Sequence, residues 1–153
     1  MNHWLMKCEP DVYSIADLKK DKRTGWEGVR NYQARNFMRD GMKVGDFAFF
    51  YHSNAEPSGV AGIARIVKTG LADPTQFDRK SEYFDPKSTK EKPTWIMVEI
   101  EFVEEFPYLL PLEKLRNEKA LTKMALLQKG SRLSVQPVTK PEWDCVVGLG
   151  HKA

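Results

Sequence analysis

The residues best equipped for chemistry stand together in Gly25-Trp26-Glu27-Gly28-Val29-Arg30-Asn31-Tyr32-Gln33-Ala34-Arg35-Asn36. Trp26 sits between two glycines, which places it in a loop. Arg30, Asn31, Tyr32, Arg35 and Asn36 follow closely. Aromatic faces stack on nucleobases, side-chain amides pair with base edges, and guanidinium groups pair with phosphate. The run therefore suits a planar, hydrogen-bonding ligand carried on an anionic backbone. It suits equally a tight loop pinned by one tryptophan and followed by a surface helix, and residue types alone do not separate the two.

Charge distribution leans toward the ligand. The net charge is only +3, yet residues 19–43 hold eight lysines and arginines against three acidic residues. Residues 99–118 are the reverse, with six glutamates against two cationic residues. A basic patch on an otherwise balanced domain suits nucleic acid, with Arg30, Arg35, Arg39 and the lysines of 19–23 attracting phosphate. Catalytic machinery is harder to assemble. His52 is the candidate base, with Lys7 or Glu9 nearby, but no nucleophile, base and orienting group stand together. His3, His52 and His151 are scattered, and Cys8 and Cys145 stand far apart. Neither a metal site nor a cofactor is expected.

A chain of 153 residues, 41% hydrophobic and 29% charged, fits one domain over 1–153 with a real core. No apolar run approaches the ~18 residues that span a bilayer, so no membrane partner is expected. The first residues lack the pattern of a signal peptide. Together with two unpaired cysteines this points to a cytoplasmic protein, expected to be monomeric.

The elements that must carry the opening stretch follow from periodicity. His3 to Cys8 reads as a strand with Trp4, Met6 and Cys8 on one face, ended by Glu9-Pro10. Ser14 caps a short helical turn, and Asn31 caps a helix over about Tyr32 to Asp40 that stops at Gly41. Phe47 to Ser53 is apolar on both faces until His52, so it is a central strand. Its polar end, Tyr51-His52-Ser53, emerges where sites usually lie. Gly59 to Val67 is the return strand, with Gly59 and Gly62 marking close backbone approach or a bulge. Residues 70–94 form a long, mostly irregular excursion pinned by Phe77, Tyr83 and Phe84. Trp95 to Val103 is a strand with Ile96, Val98, Ile100 and Phe102 inward. Short helices are expected at Leu112 to Leu115 and Ala120 to Gln128. Ser131 to Val138 reads as the last strand, and Arg132, Ser134 and Gln136 share a face that is either a second half of a site or plain solvent surface. A terminal helix begins with proline in its first turn at Pro141. Strands of this length with short helices between them suggest an α+β domain on a small, strongly curved or closed sheet.

With the elements placed, the chain resembles the EVE-domain family. The resemblance rests on Trp4-Leu5-Met6-Lys7-Cys8-Glu9-Pro10, on Gly25 to Asn36 as written above, and on Gly45-Asp46 with Phe50-Tyr51-His52-Ser53. It continues in Gly62-Ile63-Ala64-Arg65, Tyr83-Phe84-Asp85, Trp95, and Arg132-Leu133-Ser134-Val135-Gln136-Pro137-Val138. It covers essentially the whole chain. The extended basic N-terminal tail of nuclear members is lacking, which favours a bare, bacterial-type domain.

The resemblance implies a PUA-like small mixed β-barrel with short flanking helices, related to YTH domains. It further implies a pocket for a modified base in DNA or RNA. In that pocket Trp26 would be a wall, and Lys7, Cys8 and Glu9 would line it from the first strand's end. Val29, Arg30, Asn31 and Tyr32 would contact the base or its sugar-phosphate. Tyr51, His52 and Ser53 would form the floor or rim, completed by Arg132, Ser134 and Gln136. The expected function is a non-enzymatic reader. The rivals are an enzyme acting on nucleic acid or nucleotides, and an aromatic cage for a methylated lysine or other cation on a peptide.

Overall fold

The structure is a computed structural model that describes residues 1–130 and 132–152. It is α+β: six strands form one mixed sheet in the order β2-β5-β4-β3-β1-β6. Strand β1 (His3–Cys8) lies parallel to β3 (Phe47–His52) and antiparallel to β6 (Val135–Val138). Strands β4 (Gly59–Ala72) and β5 (Ile96–Pro111) form the long antiparallel body, and β2 (Arg23–Gly25) pairs with β5. No helix among the described residues is long and apolar enough to cross a membrane.

Both faces of the sheet are covered, as the apolar run of β3 requires. Trp4, Met6, Phe50, Val98 and Ile100 form one cluster with Ile15 and Leu18 of α1 (Ile15–Asp21). Ala34 of α2 (Tyr32–Asn36) and Met38 of the π-helical turn Phe37–Gly41 close it. Leu5, Phe49, Tyr51 and Val60 form the other cluster with Leu115 of α3 (Leu112–Arg116), and with Trp143 and Val146 of α4 (Lys140–His151). The alternation read in β1 holds, with Trp4 and Met6 on one face and Leu5 on the other.

The expected closed barrel is not formed. The sheet ends at β2, three residues long, and at β6, four residues long, and no ladder joins these edges. Curvature comes instead from bulges where β4 meets β3 and β5. These carry β5 from one cluster, at Val98 and Ile100, to the other, at Phe106 and Leu110, as bulges do by bending the strand. Gly62 lies where the backbones meet: a Cβ there would stand 2.3 Å from the Glu104 carbonyl oxygen.

Three other expectations change. The last strand begins at Val135, paired with Met6; Arg132 to Ser134 precede it, and Ser131 lies outside the described residues. The helix expected over Ala120 to Gln128 is two 3-10 turns, Lys119–Leu121 and Ala125–Leu127. Leu121, Met124 and Leu126 are all buried, and one α-helical face could not bury all three. The excursion is anchored by polar groups more than by rings. Fully buried Gln76 donates to the carbonyls of Asp73 and Trp95 at 2.7 and 2.8 Å, and accepts from Trp95 N at 3.0 Å.

Candidate nucleic-acid interface

The first strand and the third run side by side and end together, because Ser53 N donates to Cys8 O at 3.0 Å. A cavity of about 520 Å³ opens beside these ends, within the range of small-ligand sites, about 300–1,000 Å³. Lys7, Cys8 and Glu9 line it from β1, Ser53 from the end of β3, and Arg132 and Ser134 from the approach to β6. Trp26, Val29 and Arg30 line it from the loop after β2. An adjoining cavity of about 230 Å³ shares Cys8, Val12, Trp26 and Glu27 and adds Tyr13 and Gly25.

The loop that carries Trp26 is built onto the sheet. Trp26 N donates to Val98 O at 2.8 Å, prolonging the β2–β5 pairing, and the indole meets Phe50 edge-on at 5.5 Å. Trp26 is buried except at the cavity. Gly28 has φ +86°, and a Cβ there would stand 2.8 Å from the Tyr83 ring. Its N–H donates at 2.7 Å to Asp73, a buried carboxylate. Burial alone would push the Asp73 carboxyl up, but bonds from Thr75, Gly28 and Arg30 together hold it below its usual value.

Arg30 lines the cavity but has no N–H to spare. Its Nη1 donates to Asp73 and the Val29 carbonyl at 3.1 and 2.9 Å. Its Nη2 donates to Thr75 Oγ1 and the Tyr83 carbonyl at 2.9 and 2.8 Å, and Nε also reaches Tyr83 O. Those contacts use all five donors of a guanidinium. The group also lies over the Tyr83 and Trp95 rings, at 5.4 and 5.0 Å. Arg30 is a clamp between this loop and the 73–85 excursion, and the phosphate contact foreseen for it would require breaking that clamp.

Several residues named from the sequence lie outside the cavity. Asn31 caps α2 by accepting from Ala34 N at 3.0 Å. Tyr32 stacks on Trp95 at 4.9 Å, and Arg35 donates to the Thr94 carbonyl at 2.9 Å. Tyr51 points into the core on the opposite face from Phe50. Gln136 is buried and paired across the sheet with Leu5, donating to the Leu133 carbonyl at 2.9 Å. His52 accepts from Ile15 N at 3.1 Å through Nε2. That nitrogen therefore holds no proton, and burial keeps the imidazole pKa below its usual value. A base whose lone pair anchors a helix start is poorly placed for catalysis.

The sequence reading missed Val12, Glu27, Gly28 and Tyr83, which all line the cavity. Glu27 and Gly28 stood inside the recognised run, so their position was a usable signal. Tyr83 arrives from an irregular segment that carries no periodicity. The basic segment also differs from expectation. Lys19 pairs with Glu105 at 3.4 Å, Arg23 with Glu101 at 3.2 Å, and Arg39 with its neighbour Asp40 at 2.9 Å. Lys19 and Arg23 of the cationic run thus face the acidic β5 rather than a free polyanion. Lys7 is different. Burial lowers its pKa, its ammonium lies 5.9 Å from the Tyr51 ring, and no carboxylate of the described residues pairs with it.

Comparison with known proteins places this arrangement among relatives. Human thymocyte nuclear protein 1 is 43% identical over 170 residues, spanning 99% of this chain and 75% of the human protein. The crystal structure of human THYN1 in complex with 5-methylcytosine-containing DNA superposes with a TM-score of 0.93 at 42% identity, covering 100% of this chain and 99% of that one. A protein of solved structure from Pseudomonas syringae is 49% identical with a TM-score of 0.93, covering 97% of this chain and 99% of that one. The human, chicken and mouse relatives all bear the name thymocyte nuclear protein 1. That name points to a nuclear location and overturns the cytoplasmic expectation. The EVE domain family model matches residues 2–149, and the chain belongs to the EVE-domain family.

Proposed function

We propose that this chain is a non-enzymatic DNA-binding unit, acting as one EVE domain over 1–153, that receives a modified base in the cavity beside Trp26. The carrying observation is its likeness to THYN1 solved with 5-methylcytosine-containing DNA, at 42% identity over the whole chain. The kinship with PUA-like and YTH folds implied by the motifs belongs to the same reading. A base leaves the duplex stack and enters the cavity, at the unstacking cost common to base flipping. The part of Trp26 that borders the cavity supplies a stacking surface. Val12, Val29 and the Cys8 thiol supply apolar surface for a methyl group. One methyl in such surroundings is worth about 1–3 kcal/mol. The commitment of His52 to Ile15 N supports the absence of catalysis.

Fluorescence anisotropy with matched oligonucleotides carrying cytosine or 5-methylcytosine at one position tests this. The methylated strand should bind several-fold more tightly, and the Trp26→Ala variant should lose the preference. Equal binding of both strands would refute the modified-base reading.

A further inference from the structure

Among the described residues that line the cavity, one carboxylate is left without a partner. Glu9 accepts from Asn54 Nδ2 at 2.8 Å, and the oxygens of Asp73 are taken by Gly28, Thr75 and Arg30. Glu27 lines both adjoining cavities, directly after Trp26. Its carboxylate takes part in no hydrogen bond or ion pair with the described residues, and its only contact of that kind is its backbone N–H to the Gly25 carbonyl at 3.1 Å. We infer that Glu27 is a specificity-determining residue, whose carboxylate accepts a hydrogen bond from the exocyclic amino group of the base that stacks on Trp26. The inference rests on the proposal that a base enters this cavity, and adds which edge of it is read.

The chemistry is selective in one direction. A carboxylate accepts from the N4 amino group of cytosine, whereas the O4 of thymine or uracil presents only lone pairs and repels it. Thymine carries the same 5-methyl group as 5-methylcytosine, so a methyl-sized apolar space alone cannot separate the two. An acceptor beside the ring can. Burial and the charge of Asp73 push the Glu27 carboxyl above its usual value, as befits an acceptor partly withdrawn from water with no donor of its own. The loop that holds it is fixed on both sides, by Trp26 N on Val98 and by Gly28 N on Asp73, so its backbone position is set before a ligand arrives.

The test uses four oligonucleotides identical except at one position, which carries cytosine, 5-methylcytosine, uracil or thymine, with affinity read by anisotropy. The methyl axis tests the proposed function, and the amino-to-keto axis tests Glu27. Wild type should favour each amino base over its keto partner by about tenfold, the size of one good base-edge contact. Glu27→Gln keeps the shape but can donate to O4, so the amino-to-keto ratio should fall toward one while the methyl ratio persists. Glu27→Ala should weaken the amino bases and relieve the repulsion of the keto ones, so its ratio should also fall toward one. Circular dichroism confirms that both variants fold. A wild-type ratio near one, or a ratio unchanged in Glu27→Gln, overturns the inference whatever the methyl axis gives. An amino preference lost in Glu27→Gln with no methyl preference would uphold it and refute the modified-base reading alone.

Discussion

Two arginines and a lysine show how position overrides residue type. Arg30 spends every donor inside the chain, while Lys7 and Arg132 line the same cavity without a carboxylate partner among the described residues. Their roles should separate in salt titrations. Lys7→Ala and Arg132→Ala should each reduce the slope of log affinity against log salt by about one, as loss of a phosphate contact does. Arg30→Lys should leave the slope unchanged, because an ammonium there loses a structural clamp and not a phosphate. It should instead destabilise the protein by on the order of 2 kcal/mol, since a lysine cannot reproduce a planar fork that bonds Asp73, Thr75 and Tyr83 together. Urea unfolding reads the second effect.

At the level of elements, Asn31 belongs to the helix that follows it. Asn31→Ala should cost about 1 kcal/mol through loss of the cap and leave base preference intact; a change in the preference of one base over another would assign it to the ligand. The cap was readable in advance, since asparagine before an amphipathic run is a strong start signal. The alternation of β1 and the two-sided burial of β3 were readable for the same reason: one period governs every residue of a short strand. The length of β5 was not. Its buried residues pass from one cluster to the other along the strand, because bulges against β4 shift the register, and alternation in the sequence does not record such a turn. The cavity divided in the same way. The strand ends and the Trp26 loop were legible as local runs. Tyr83 was not, being brought in by Arg30 and Asp73 through bonds between segments more than forty residues apart.

For the whole molecule, opposite charges are matched across the sheet. The basic segment of α1 and β2 lies on the acidic β5, so net charge understates and segment charge overstates what a polyanion meets. Acid should loosen the fold through His52. The unfolded chain binds a proton at the ordinary histidine value of 6.5, while the folded imidazole, held below it by burial, refuses that proton. Stability is therefore unaffected well above 6.5 and is lost as pH falls below it toward the lower folded value. His3, also held down first by burial, adds in the same direction. Thermal unfolding followed between about pH 5 and pH 8 should show that decline, and His52→Gln, which keeps an acceptor for Ile15 N, should flatten it. The four tryptophans give the molecule an optical property. Trp4 is bonded to Asp46, Trp95 is stacked on Tyr32, and Trp143 is stacked on Phe49. Only Trp26 among them borders the large cavity. A guest in that cavity thus covers one indole of the four, and a partial dimming of the natural fluorescence on titration would report its arrival.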